Sequence, residues 1–394
     1  MFAAMGLALV VTGCGGRASS GVVTRDSAGV VIVDNQAPED GAGVRFRIDS
    51  APVVDIGGGD PHAEFPQGVT VVRLRSGQIV VAVRKELRWF DARGGWIRTV
   101  GRDGSGPGEF RQIDLIAPVG DSLLVYDFGL RRISAFDSAG RYGRGQTLVD
   151  PDTLGETFPV GVLSDSRLLL ATYHTPPPVN GLRRDPVTLR IATAAGQVTA
   201  TLGSFPYVEQ LVESGRDGVS MGRALFGKIA YWATLDTMVL VATNERFSFD
   251  WYRPNGTAER SVRRAWVPVP VTAADVTRQV EEWLGQFPAG MEERKRSYAA
   301  RWMSSPRPEA KPPYGRVLVS AAGEVWAEEY GEPGRRSRPA TYSVFDRSGR
   351  WLARVAMPAG AEPAVIGTRD IVAIWLNADD VAHIRVYPLQ RMGH

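Results

Sequence analysis

The stretch from Ile97 to Tyr142 contains one complete structural unit, and a copy of it stands one period upstream. The unit opens with a glycine-rich loop, Gly101–Phe110, closed by Pro107-Gly108-Glu109-Phe110. Short apolar runs follow at Ile113–Val119, Leu123–Tyr126 and Arg132–Phe136; Gly120-Asp121-Ser122 separates the first two and Asp137-Ser138-Ala139-Gly140 ends the third. Runs of this length, bounded by Gly, Asp and Ser turns, predict β-strands. Glu64-Phe65 precedes Glu109-Phe110 by 45 residues, and Trp89–Gly94 precedes Ala135–Gly140 by 46. A sheet of about four such strands exposes two faces and cannot bury both alone, so the period demands that copies pack on one another.

A period in the forties, with about four strands per copy, is the pattern of blades packed radially. The turn and apolar run that mark each second strand occur six times, at Ser76–Ala82, Gly120–Val125, Ser164–Leu170, Leu235–Val241, Ala322–Ala327 and Arg369–Trp375. The turn after the third strand recurs at Asp91, Asp137, Thr193–Gly196, Arg253–Gly256 and Asp346–Gly349. The last copy stops at a third strand, His383–Tyr387, which would leave an open edge. Asp26-Ser27-Ala28-Gly29 repeats the same turn ahead of Val30–Asp34, so this N-terminal strand is expected to complete the last blade. The predicted fold is all-β: a six-bladed β-propeller over residues 22–394, closed by its N-terminal strand. A helical insertion is predicted at 268–313, between blades four and five. There Thr272 is an N-cap candidate, and Val276, Val280, Trp283, Leu284 and Phe287 fall at helical spacing. A second helix is expected at Met291–Met303.

Two stretches resemble known families. GRDGSGPGEF and LLVYDFGLRRISAFDSAG are similar to the loop and to the second and third strands of NHL-repeat propellers, a likeness that spans Asp55–Tyr142. It implies a binding propeller in which Asp127 supports a turn. Val11-Thr12-Gly13-Cys14 resembles the lipobox of bacterial lipoproteins. That resemblance implies a signal peptide at 1–13, a lipidated Cys14 and a flexible tether at 14–21. Gly15 after the cysteine fits lipoproteins sorted to the outer membrane, so the expected location is the cell envelope, lipid-anchored and facing the periplasm. The apolar segment Met1–Val11 is too short to span a bilayer.

In a four-stranded meander, loops alternate between the two ends of the strands. Four long segments, His174–Pro186, Phe205–Ala224, Pro268–Pro313 and Glu328–Ala340, all fall after second strands or before first ones, and so on one end. Phe205–Ala224 reads as irregular. Binding residues concentrate on loops held by a rigid scaffold, so this mouth is the predicted working face. Residues after the second strands ring it: Arg84, Asp127, His174, Asn244, Glu328 and Asn377. Arg183, Arg184, Arg335 and Arg336 add loop cations suited to an anionic ligand. The ligand-binding candidates are Arg84, His174, Arg183, Arg184, Asn244, Glu328, Arg335, Arg336 and Asn377.

Catalytic chemistry finds little purchase. Gly101–Phe110 lacks the strand–loop–helix context of a phosphate cradle and reads as a blade-to-blade turn, with Glu64 and Glu109 expected to bond its backbone amides. There is no Gly-x-Ser-x-Gly elbow, and Cys14, the single cysteine, is assigned to lipid. His62, His174, His383 and His394 have no carboxylate or cysteine at ligand spacing. No catalytic residue, metal site or cofactor is assigned; calcium is left open, because channel carboxylates from separate blades can converge on it. A net charge of +3 over 394 residues gives no footprint for nucleic acid. The reading is a monomeric, lipid-anchored binding module for a protein, peptide or glycan. The competing readings are a calcium-dependent hydrolase or lactonase and a purely structural envelope protein. The helical aromatics Trp283, Phe287, Tyr298 and Trp302 are expected to pack on the propeller rather than on a bilayer.

Overall fold

A computed structural model describes residues 21–39, 45–148, 156–174, 176–215, 218–285, 287, 290–331 and 339–392. Cys14, Arg335 and Arg336 lie outside them. The chain begins with a hairpin, β1 (Val22–Ser27) and β2 (Val30–Asn35), followed by β3 (Arg45–Ile48) and β4 (Val54–Ile56). Sheet one is β5 (Thr70–Arg73), β6 (Ile79–Val83), β7 (Glu86–Phe90) and β8 (Trp96–Val100). Sheet two is β9 (Ile113–Val119), β10 (Ser122–Asp127), β11 (Arg132–Phe136) and β12 (Tyr142–Thr147). Sheet three has five strands, β13 (Glu156–Val162), β14 (Leu168–Tyr173), β15 (Gly181–Ala192), β16 (Val198–Gly215) and β17 (Gly218–Arg223). Sheet four holds β18 (Tyr231–Leu235), β19 (Met238–Ala242), β20 (Ser248–Tyr252) and β21 (Ala258–Arg264). Helices α1 (Ala273–Gly285) and α2 (Glu292–Ser304) come next. Sheet five is β22 (Tyr314–Val319), β23 (Val325–Glu329), β24 (Thr341–Phe345) and β25 (Trp351–Ala356). Sheet six is β26 (Ala361–Ile366), β27 (Asp370–Leu376) and β28 (Ala382–Met392), with β3 and β4 paired to β28. The fold is of the β-propeller type: small, mainly antiparallel sheets, each with the second strand read from sequence in its interior rather than at an edge.

The cores lie between sheets. Leu87, Trp89, Phe110, Leu123 and Phe136 are buried together between sheets one and two, and Trp326, Tyr342, Ile371 and Tyr387 between sheets five and six. Ile56, Phe65, Val81, Val372 and Ile384 join sheet six to sheet one. Each fully buried large side chain contributes roughly 1.5–3 kcal/mol by leaving water. The glycine in the turn after each third strand has a packing reason as well as a conformational one. A Cβ on Gly94 (φ +87°) would stand 2.7 Å from Val54 of β4, and one on Gly349 (φ +91°) 2.5 Å from Val262 of β21. The turn of one sheet is pressed against the outer strand of the sheet before it.

Two expectations are corrected. Val30–Asp34 does not complete the last sheet; β2 pairs in parallel with β21 of sheet four, Val31 opposite Arg260 through Asn35 opposite Arg264. Asn35 explains the choice. Fully buried, it donates from Nδ2 to the Arg263 and Gly349 carbonyls (2.9 and 3.0 Å) and accepts from the Trp351 amide (2.8 Å), bridging sheets four and five. The open edge of β28 is filled by β3 and β4, with Leu389 opposite Ile48 and Ile384 opposite Ile56. Phe205–Ala224, in turn, is not irregular. It holds the outer half of β16 and all of β17, which with the start of β15 carry sheet three out beyond the body; Arg183 and Arg184 sit on strand rather than loop. β17 is exposed along its whole length and Phe205–Leu211 of β16 are half-buried, so neither shows an alternation to read.

Candidate functional site

Helices α1 and α2 lie over the mouth at which first strands begin and second strands end. Thr272 caps α1: its Oγ1 accepts the Asp275 amide (3.2 Å) while Asp275 Oδ2 accepts the Thr272 amide (2.9 Å). Lys311 Nζ donates to Asp275 Oδ1 at 2.8 Å, and this partner with the Thr272 donors holds the Asp275 carboxyl well below its usual range. Val276 and Val280 pack on Leu225 and Phe226. Arg301 of α2 donates from Nε to Glu213 (2.7 Å) and from Nη2 to Ser220 (3.0 Å), tying the pair to the projection of sheet three. The helical aromatics meet one another: Trp283 and Trp302 centroids are 4.2 Å apart, Tyr298 and Trp302 5.4 Å, and Phe287 and Tyr298 5.5 Å. Trp302 also packs on the cluster of Leu225 and Phe226 beneath the helices, on the propeller side as expected.

Below α1 are two adjoining cavities of 480 and 360 Å³, and Glu282, Arg316, Glu328 and Glu362 line both. Arg316 of β22 donates from Nη1 to Glu362 of β26 at 2.5 Å, and its backbone amide to Glu328 at 3.2 Å. A third groove, of 1010 Å³, runs along the seam of sheets one and six and brings Arg84 and Asn377 together. Glu64 lines it too, with its backbone carbonyl taking Arg88 Nη1 at 2.7 Å. Only Glu109 of the expected pair bonds a loop amide, that of Gly106 at 2.8 Å; this bond, with Arg102, lowers its carboxyl.

The other sequence candidates divide. Asn244 (φ +64°) turns inward: its amide donates to Tyr314 Oη at 2.8 Å and its Nδ2 to the Tyr314 carbonyl at 3.0 Å. It is a lock between sheets four and five. Asp127, fully buried, accepts from the amides of Arg111, Gln112 and Leu130 (2.7, 3.2 and 2.9 Å). Asn377 accepts from the amides of Asp379 and Val381, both at 2.9 Å. Arg184 pairs with Glu245 and donates to the Tyr207 and Thr243 carbonyls at 2.7 and 2.8 Å. Arg183 clamps Asp185 and the Pro176 and Pro177 carbonyls. His174 Nε2 lies 3.0 Å from Thr188 Oγ1. Arg84, Asn244, Glu328 and Asn377 line cavities of the mouth; Arg183 and His174 brace sheet three, and Arg184 ties it to the segment after β19 of sheet four.

A feature that spacing did not reveal crosses the same mouth. Phe128, Phe158, Tyr173, Tyr207 and Trp232, from sheets two, three and four, form a continuous row with successive centroid distances of 5.1, 5.8, 5.2 and 5.3 Å. Each ring keeps part of its surface in water, Phe128 the most at 39%. Burial, then Tyr207 and Asp114 nearby, push the Tyr173 phenol upward. Asp114, near the start of β9, has its own carboxyl raised by the protein around it. Among the described residues no three His, Cys, Asp or Glu side chains gather as a metal-ligand set. Nor is any helix among them long and apolar enough to cross a membrane.

No family model matches the chain, and no curated protein matches it in sequence. Solved structures do. A member of the DUF4221 family from Bacteroides vulgatus aligns with a TM-score of 0.54 at 9% identity, covering 89% of this chain and all of that one. The WD40 domain of Neurospora crassa Pan2 aligns at 0.41 and 8% identity over 89% of this chain and 97% of its own. A calcium-binding regucalcin from Agrobacterium tumefaciens gives 0.35 and 14% over 90% and 95%. At these identities the likeness is one of fold, and the chain shares with the first of them a propeller-type architecture.

Proposed function

We propose that the protein is a lipid-anchored, extracytoplasmic six-bladed propeller of NHL-like type that binds a protein, peptide or glycan at the helix-covered mouth. The reading rests above all on one observation. The helical pair, the projection of sheet three, the two cavities beneath α1 and the aromatic row all gather at the same end of the strands. Among the described residues, the connections from first to second and from third to fourth strands, at the opposite end, are tight turns such as Asp91–Gly94 and Asp346–Gly349. The apolar cluster that joins sheet six to sheet one supports closure into a ring, and the Cys14 motif supports the anchor.

The working face is tested by a photoreactive amino acid placed at Gln279, which lines the smaller cavity, or at Ser348, in a turn at the far end. Cross-links formed in cells from Gln279 and absent from Ser348 are expected; equal yields from both would overturn the assignment. For the anchor, labelled palmitate should enter the wild type in a bacterial host and not Cys14→Ala, which should leave the membrane fraction. Unchanged fractionation of that variant removes the anchor from the reading.

A further inference from the structure

We propose that the aromatic row, with Asp114 and Glu156, is a binding site for the basic side chains of an extended peptide. The proposal deepens the reading of this mouth as the working face and rests on it. Three observations on independent elements carry it. Five rings contributed by three sheets touch in sequence from Phe128 to Trp232. Phe158, Tyr173, Tyr207 and Trp232 pack against the cores between sheets on one side and keep part of their surface in water on the other, whereas aromatics of other cores, such as Phe136 and Phe249, are closed off from water.

Two carboxylates flank the row. Asp114 lies close enough for its charge to act on the Tyr173 phenol, and Glu156 is the cross-strand neighbour of Tyr173, on the same face of sheet three. Neither carboxylate has a hydrogen-bond or ion-pair partner among the described residues, whereas Arg184, the guanidinium nearest in the fold to Tyr207, is already engaged by Glu245 and three carbonyls.

The chemistry is complementary to one kind of group. Ring faces carry negative quadrupole potential and attract ammonium and guanidinium ions; an unpaired carboxylate beside them adds an ion pair, and the low local polarity strengthens both. A neutral sugar would gain from the rings but leave both charges unanswered. An anion would be repelled. The row is long enough for more than one side chain, which points to an extended peptide rather than a single amine.

The test uses the full-length protein and a blocked pentapeptide, acetyl-Gly-Arg-Gly-Arg-Gly-amide, with the citrulline analogue and a chito-oligosaccharide as comparators, all titrated calorimetrically at low salt. The arginine peptide should bind and the other two should not. Asp114→Asn and Trp232→Leu should each weaken it about tenfold, with unchanged circular dichroism and thermal midpoint showing that the variants fold. Phe128→Leu, the most exposed ring, provides a third variant where folding is least at risk. Equal binding of citrulline and arginine peptides, binding of the oligosaccharide alone, no binding of any ligand, or variants within twofold of wild type would each overturn the proposal. Its failure is separable from that of the working-face reading: contact-specific cross-links from Gln279 would stand even if no basic peptide binds.

Discussion

Asn35 has no charge and is fully buried, yet three of its bonds hold a strand from the start of the chain against two sheets some two hundred and three hundred residues away. Replacing it by Ala removes all three of these buried bonds, at about 1–3 kcal/mol for such a deletion. Urea unfolding of Asn35→Ala should show that loss with an unchanged m-value; a cost below about 0.5 kcal/mol would mean that β2 is held by its ladder alone. Asn244 shows why some candidates read from sequence became structural residues. Position after a second strand places a side chain at the mouth, but its left-handed φ turns it onto Tyr314, and no sequence pattern reports that sign. Asp127 was legible because its neighbours match a repeat in which an aspartate takes loop amides. The aromatic row was not, because its members come from three sheets and touch only after those sheets pack.

At the scale of elements, the second strands and the helical pair were readable because their signals are local: a turn followed by an apolar run, or a cap followed by helical periodicity. The partner of an edge strand is not local. Asp26–Gly29 carries the same turn wherever the following strand docks, and the choice of β21 over β28 is made by Asn35 and by residues far along the chain. Within the helical pair, the cap is also a titratable clasp. Lys311 and Thr272 lower the Asp275 carboxyl below its unfolded value of about 3.9. The sign follows: its contribution is fully present above that value and is lost as pH falls through the folded one. Thermal melts between pH 2.5 and 7 should therefore show the wild type losing stability in acid more steeply than Asp275→Asn, with the gap between the two curves narrower at pH 2.5 than at pH 7. Parallel curves would assign acid sensitivity elsewhere.

For the whole molecule, the N-terminal segment has two jobs that truncation separates. Removing residues 1–36 deletes β1 and β2 but leaves β3 and β4 to pair with β28. Removing residues 1–56 strips both strands and exposes the β28 edge, an invitation to association. The first truncation should stay monomeric by size-exclusion chromatography with a lowered melting temperature, and the second should aggregate. If both behave alike, the fifty-odd N-terminal residues close nothing. The same hairpin also fixes where the chain enters. Val22 pairs with Asn35, and the Asn35 carbonyl accepts the Ala265 amide at 2.8 Å, just ahead of the helical insertion. Seven residues separate Cys14 from Val22, eight Cα–Cα steps with a reach of at most about 28 Å however they are arranged. A protein moored by a lipid on that cysteine would hang by the sector bearing the helices, like a lamp from an off-centre hook. The hairpin that begins at Val22, and with it the edge of sheet four, would then stay within that reach of the bilayer surface whichever way the rest of the molecule turned.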